Sequence, residues 1–221
     1  MNPSRKGIAR PKQYLMLEGK PVLAWTLDFF QNLKEVDEII LVVSESHIEN
    51  IKNEIVVPFG FDKVNKIIPG GAERQDSVLQ GLIHCADEAD VILVHDAARP
   101  FPPTESVQEA IISAFAGIGG VLGIPTPDTI KQIDEHMNVV QTLDRDQLIA
   151  VQTPQVFPAA MLKMAFEMAT RDQFQGTDEA MIMENADFPV RIFPGSRSNI
   201  KITIPEDLTF AEAFAKSIGR K

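Results

Sequence analysis

The sequence predicts an α/β domain built on a mostly parallel sheet with helices on both faces, and three observations predict it. Aliphatic runs of strand length recur along the chain: "EIILVVS" (38–44), "DVILVHD" (90–96) and "GGVLGIP" (119–125). These runs are aliphatic throughout instead of alternating with polar residues, as expected of strands covered on both sides. Segments of helical length and apolar spacing lie between them, which is the pattern of βαβ units.

Each element follows in order. "KPVLAWTLDFFQN" (20–32) carries Val22, Leu23, Trp25, Leu27, Phe29 and Phe30 and reads as a buried helix. The strand 38–44 comes next, then a helix over about 46–55 and a short strand "KVNKIIP" (63–69). "ERQDSVLQGLIHCADEA" (73–89) is helical, with Val78, Leu79, Leu82, Ile83 and Cys85 along one side. The strand 90–96, a helix over about 104–116 and the strand 119–125 continue the alternation.

Then the rhythm breaks. "DTIKQIDEHMNVVQTLDRDQL" (128–148) has two β-like runs around "DEHMN" and reads as a hairpin with too few core positions to fold alone. Such a hairpin is either a surface flap or an arm against a second subunit, and the arm is the preferred reading. A helix (159–170), the loop "QGTDEA" (175–180), a strand "PVRIF" (189–193) and a strand "NIKIT" (199–203) complete the order before a closing helix. That helix opens at Pro205 with Glu206 and Asp207 behind it, a favourable first turn. With no repeat and no low-complexity linker, residues 1–221 read as one domain, with 127–150 as its arm.

Composition narrows the function. The 221 residues carry a net charge of −10, which argues against a nucleic-acid partner. Mean hydropathy is −0.03 and no apolar run reaches the ~18 residues of a membrane span. The opening "MNPSRKGIARPKQ" lacks the apolar stretch of a secretory signal, and the single cysteine, Cys85, suits a reducing cytoplasm. Against the acidic whole, residues 1–12 hold Arg5, Lys6, Arg10 and Lys12 and no acid. That cluster is either a frayed basic terminus or an anion-binding loop.

Ligands of such sheets sit beyond the carboxyl ends of the strands. "PGGAERQDSV" (69–78) joins a strand to a helix; Gly70 and Gly71 permit close backbone approach, and the helix start offers unpaired N–H groups. A plain strand–helix junction would read the same way. "VILVHDAARP" (91–100) ends a buried strand in His95, Asp96 and Arg99. Asp96 there either caps the following turn or faces a metal-bound phosphate or ribose, and Arg99 suits a second anion. The adjacent His-Asp pair also occurs in metal-dependent phosphohydrolases. Those need further histidines on helices, and the other three here are His47, His84 and His136. Lys201, on one pleat face with Asn199 and Thr203, is either solvated or part of a set of separated cations with Lys12, Arg99 and Arg145. Phosphoryl and nucleotidyl transfer need such a set to bring two polyanions together. No zinc-spaced cluster, G-x-S-x-G elbow or Walker loop is present.

Taken together, "PKQYLMLEGKPVL", "GGAERQDSV", "VILVHDAARP", "DTIK", "TLDRDQL", "QTPQVF", "TDEA" and "NIKITIPEDL" resemble, in the same order and along nearly the whole length, the motifs of the 2-C-methyl-D-erythritol 4-phosphate cytidylyltransferase family. The resemblance implies a Rossmann-like nucleotidyltransferase sheet. It implies a reaction of CTP with methylerythritol phosphate that gives the CDP-alcohol and pyrophosphate, in the non-mevalonate route to isoprenoids. Mg²⁺ is the implied cofactor, with other divalent ions possible, held mostly through phosphates and water and only slightly by Asp96. Lys12 and Lys201 match the lysines that stabilise the pentacoordinate α-phosphate. Gly70, Gly71, Ala72 and Ser77 match the cytosine-reading turn, and Asp96 with Ala97 the ribose and metal side. Thr129 and Arg145 match the dimer arm that reaches the neighbour's site, and Arg99, Thr153 and Thr177 match further positions on the side of the second substrate.

Two departures stand out. Leu148-Ile149 replaces the family's Leu-Trp, a packing change. The family's opening apolar strand and its Gly-rich loop ending in Arg-Met have no counterpart here, and Met1 aligns with that Met. The expectation is that the native chain carries roughly 15–25 residues upstream, a strand and a loop, and that the 221-residue chain folds poorly without them. The alternatives are a cytidylyltransferase for another polyol phosphate such as ribitol 5-phosphate, or a CTP-binding protein without turnover.

Overall fold

The computed structural model describes residues 14–218. Lys12 and the rest of the basic cluster at 1–12 lie outside them. Two two-residue strands, β1 (Met16–Leu17) and β2 (Lys20–Pro21), form a tight hairpin that leads into helix α1 (Val22–Asn32). Strand β3 (Ile39–Val43) follows, then a helical run with α-helical turns α2 (Ile48–Ile51) and α3 (Val57–Phe59), joined by a π-helical stretch at Lys52–Val56. Strand β4 (Val64–Pro69), helix α4 (Arg74–His84), strand β5 (Val91–Val94), helix α5 (Thr104–Phe115) and strand β6 (Gly119–Pro125) come next. The hairpin β7 (Lys131–Ile133) and β8 (Val139–Thr142) precedes a long strand β9 (Ile149–Pro158). Helix α6 (Ala159–Arg171), helix α7 (Glu179–Asn185), strand β10 (Val190–Pro194) and helix α8 (Pro205–Ile218) complete the chain.

The central sheet is mixed, in the order β10-β6-β9-β5, with β3-β4 as a separate parallel pair. β9 runs antiparallel to β5 and β6, while β10 is parallel to β6, so three of the four strands point one way. The mostly parallel expectation holds, with one reversed strand, β9. The motif "QTPQVF" (152–157), assigned no strand from the sequence, lies in β9, where Pro154 and two glutamines are unusual at a central position. The structure accommodates Pro154 at a ladder irregularity: Val121 pairs with Gln155 and Leu122 with Gln152, so Thr153 and Pro154 are passed over on the β6 side. Gln152 and Gln155 are buried and fully engaged by backbone partners and side chains, which is what lets polar residues sit inside a sheet.

The pleat of this sheet divides the core. Val121 and Phe157 face α4, α6 and α7, whereas their chain neighbours Leu122 and Val156 face α1 and α5. Helices therefore cover both faces, as the continuous aliphatic runs predict. Among the described residues the two sheets share no ladder, and α1 joins them: Leu23 and Leu27 pack with β3 and the helical run, while Phe30 and Leu33 pack with α5.

Two expectations are corrected. "NIKIT" (199–203) is no strand; its backbone is spent on other partners, the Ile202 N–H on Ala98 O (2.9 Å) and the Thr203 N–H on Asp207 Oδ2 (2.7 Å) at the start of α8. The loop at 175–180 gives way to α7, whose first turn is capped by Asp178 accepting from the Met181 N–H. The hairpin is as expected, β7 antiparallel to β8, with Asp134 accepting from the N–H groups of His136 and Asn138 to close its turn.

Candidate active site

The site lies where the carboxyl ends of β4, β5 and β10 deliver their following loops. β5 ends at Val94, and the next two residues are His95 and Asp96. Register sets what stands beside them: Val94 pairs with Gln155, so the passed-over Thr153 falls next to Asp96. The Asp96 N–H donates to Thr153 Oγ1 at 3.0 Å, and Thr153 Oγ1 lies 3.1 Å from His95 Nδ1. His95 Nε2 lies 2.9 Å from the Arg99 carbonyl, which can only accept, so this nitrogen carries the proton. Nδ1 then accepts from the Thr153 hydroxyl. Every group in the chain is satisfied only by neutral imidazole. Burial pushes His95 down to about 4, which keeps it in that form. Both ring nitrogens are used by the protein, so His95 is a structural pin for the turn and not a metal ligand.

Asp96 collects the cations. Lys201 Nζ sits 2.7 Å from Oδ2, Arg99 Nε 3.8 Å from Oδ2, and Arg74 Nε 3.9 Å from Oδ1. Burial works against the Asp96 charge, but the bond from Lys201 and the nearby positive charges outweigh it and hold the carboxyl below its ordinary value. Oδ1 accepts no hydrogen bond among the described residues. Arg99 is fixed by donating from Nη1 to Asn199 O at 2.7 Å; its buried Nε has no hydrogen-bond partner among the described residues.

Lys201 reaches Asp96 from a segment without regular structure, so its placement needs another cause. Asn199 is fully buried and donates from Nδ2 to Thr153 O (2.9 Å) and to Gln152 Oε1 (3.2 Å). Gln152 also donates to Ser196 O (2.8 Å) and accepts from the Ser196 N–H (3.1 Å). Gln152 and Asn199 thus tie 196–201 to β9. Sequence reading missed both, along with Arg74; the only sign of Arg74 was its place inside a motif already singled out.

The turn 70–78 is built for close approach. A Cβ at Gly71 would stand 2.3 Å from that of Asp76, so no side chain fits. The Gly71 N–H donates to Ser77 Oγ at 3.1 Å, and a Glu73–Asp76 capping box starts α4. Ala72 is exposed at the tip, and Ala97 O accepts from Thr26 Oγ1 at 3.0 Å. The structure therefore brings together Asp96, Ala97, Arg99, Thr153 and Lys201. Thr177 lies on the exposed loop before α7. Thr129 and Arg145 lie apart, at the base of the hairpin, where Arg145 Nη1 donates to Pro127 O (3.1 Å). Among the described residues no group of three or more His, Cys, Asp or Glu could hold a metal ion, and no helix is long and apolar enough to cross a membrane.

One sheet-end carboxylate ringed by three cations, on an α/β fold, defines an enzyme of group transfer between phosphorylated small molecules. Comparison with known proteins gives the particular kind: residues 2–217 match the family model of 2-C-methyl-D-erythritol 4-phosphate cytidylyltransferase, and the chain belongs to this family of nucleotidyltransferases. Proteins of that name from Alkaliphilus metalliredigens and Geotalea uraniireducens are each 42% identical to it, over 95% and 97% of this chain and 87% and 93% of theirs. Among solved structures, the 4-diphosphocytidyl-2C-methyl-D-erythritol synthase of Anaerococcus prevotii superposes with a TM-score of 0.83 at 32% identity, covering 93% of this chain and 90% of that one. The cytidylyltransferase of Thermus thermophilus superposes at 0.78 with 30% identity, covering 93% and 94%.

Proposed function

We propose that the protein joins CTP to 2-C-methyl-D-erythritol 4-phosphate, releasing pyrophosphate and forming the CDP-alcohol in non-mevalonate isoprenoid synthesis. The observation that carries this reading is the Asp96–Lys201–Arg99–Arg74 cluster at the end of β5, on a chain of this family. A phosphate oxygen of the alcohol phosphate attacks the α-phosphorus of CTP in line. The new P–O bond forms as the α–β P–O bond breaks, and the electron pair leaves with pyrophosphate. No covalent nucleophile is required, so position and positive charge do the catalysis. Lys201 and Lys12 stabilise the charge that gathers on the α-phosphate. The turn at Gly70, Gly71, Ala72 and Ser77 reads cytosine, and Asp96 with Ala97 faces the ribose. Arg99 and Thr177 face the second phosphate ester, whereas Thr153, expected beside them, is buried and spends its one hydroxyl proton on His95 Nδ1, so its part is to hold the Asp96 turn.

A divalent ion such as Mg²⁺ would be held by Asp96 Oδ1, which accepts no hydrogen bond among the described residues and has Arg74 Nε 3.9 Å away, and otherwise by phosphate oxygens and water. When bound it neutralises phosphate charge.

Residues 127–150 act as a dimer arm in this reading. Ile133 and Val139 stand opposite each other in the β7–β8 ladder, and with Met137 and Val140 they are exposed, a row of apolar side chains suited to a second copy. Thr129 and Arg145 then serve the neighbour's site. The single Cys85 suits a cytoplasmic enzyme.

The test measures pyrophosphate release with each of CTP, UTP, ATP and GTP, against methylerythritol phosphate and ribitol 5-phosphate. CTP with methylerythritol phosphate is expected to lead. Comparable turnover with ATP contradicts the base reading, a preference for ribitol phosphate contradicts the alcohol, and CTP binding without release of pyrophosphate contradicts catalysis.

A further inference from the structure

We propose that Gln75 is a positioning residue for the alcohol phosphate: from the first turn of α4 it fixes the loop that carries Thr177, and so makes the nucleotide turn and the second substrate's loop one rigid unit. The proposal rests on the role given to Thr177 above.

Thr177 is exposed, and the only partner its hydroxyl reaches among the described residues is the Met181 sulfur at 3.7 Å, so that hydroxyl is open to a ligand. Its neighbours, in contrast, are held on both sides. Gln75 uses both ends of its amide, donating from Nε2 to Phe174 O (3.1 Å) and accepting from the Gly176 N–H at Oε1 (2.9 Å). On the far side, Gln155 of β9 donates to Asp178 Oδ2 (2.8 Å) and accepts from the Ala180 N–H (2.9 Å). Arg74 grips the fully buried Glu179 with two bonds of 2.6 and 2.8 Å. The loop is also tightly packed: a Cβ at Gly176 would stand 2.8 Å from Ile182 Cγ1. One unfettered hydroxyl between two fixed flanks is how a loop presents a ligand group at little entropic cost.

Arg74 and Gln75 belong to the same stretch as Gly70, Gly71 and Ser77. Any shift of the nucleotide turn on binding CTP is therefore transmitted to residues 174–179. Of the two links, Gln75 is the informative one. Cutting the Arg74–Glu179 pair would leave a lone buried charge and act through stability, whereas Gln75 is neutral and its loss frees two part-buried backbone groups that carry no charge.

The experiment determines kcat, both KM values and the melting temperature for Gln75→Ala, Gln75→Glu, Thr177→Ala and the Gln75→Ala/Thr177→Ala double variant. Gln75→Ala is expected to raise KM for the alcohol phosphate about tenfold, as for two lost hydrogen bonds, with KM for CTP within about twofold. Gln75→Glu keeps the acceptor for the Gly176 N–H and is expected to recover part of the loss. Adding Gln75→Ala to Thr177→Ala is expected to change nothing further, because the clamp acts through that hydroxyl. Equal rises in both KM values together with a lower melting temperature, or additive effects in the double variant, overturn the proposal. A raised KM in Thr177→Ala beside an unchanged one in Gln75→Ala overturns it alone; an unchanged KM in Thr177→Ala overturns the role of Thr177 and the proposal with it.

Discussion

The end of β5 and the hairpin proposed as an arm carry similar candidate side chains in opposite settings. Around Asp96, every functional group is held by its own chain: Asp96 through Thr153, Arg99 through the Asn199 carbonyl, and Lys201 through the Gln152–Asn199 tie. In the arm, Arg145 and Thr129 are exposed, and Arg145 rests on a single carbonyl. The first region is preorganised, which is what stabilising a transition-state charge requires. The second has its geometry set by whatever it packs against. On the proposed function the difference separates chemistry from assembly, and each region can be broken without the other.

The largest effect is expected at the anchored end. Lys201→Ala should lower kcat on the order of 10²-fold or more, the usual loss for a transition-state charge contact. Lys201 is half exposed, and Asp96, its ion-pair partner, keeps Arg99 and Arg74 nearby when the ammonium is removed, so the melting temperature should barely move. Steady-state kinetics and a thermal melt decide the point, and a tenfold or smaller loss would return Lys201 to the solvated lysine that its sequence pattern equally allowed. Lys12→Ala is expected to match it in kcat.

His95 sharpens the contrast through pH. Its folded value is depressed to about 4 from an ordinary 6.5, so the unfolded chain takes up a proton first as pH falls. The stabilisation is whole above about 6.5 and is lost progressively towards about 4, on the order of 3 kcal/mol across the window. Asp96, whose value is also lowered, adds a loss in the same direction but at lower pH. Urea unfolding at pH 7 and pH 4.5 should show the decline, and His95→Asn should flatten it. A wild-type curve already flat over that range would contradict the buried neutral imidazole.

The arm should respond in kinetics alone. Arg145→Ala should lower kcat/KM for the alcohol phosphate roughly 10- to 100-fold, the cost of one charge-assisted contact, while melting stays within about 2 °C because the residue is exposed. A large drop in melting would show that Arg145 serves its own fold.

The same contrast explains what was legible in the sequence. Asp96, Arg99 and Gly70–Gly71 stand where aliphatic strands end, and a strand end followed by charge or glycine is a local signal. Lys201 was found but placed on a strand that does not exist, since the alternation in "NIKIT" belongs to a segment pinned through Asn199, Ile202 and Thr203 to separate partners. β9 stayed hidden because its buried polar residues are tolerated only through partners more than twenty residues away. Gln152, Asn199 and the Arg74–Glu179 pair were out of reach for the same reason: their meaning is a contact between distant segments. The hairpin was legible because its polarity left it no core of its own.

Subunit mixing tests most directly whether an anchored half from one chain is completed by the arm of another. Lys201→Ala and Arg145→Ala chains, each impaired alone, are exchanged and assayed with CTP and methylerythritol phosphate. Random pairing makes half the dimers mixed with one whole site in each, so roughly a quarter of wild-type activity should return. No recovery above the separate variants, once exchange is demonstrated, would place Arg145 in its own chain's site or outside any site.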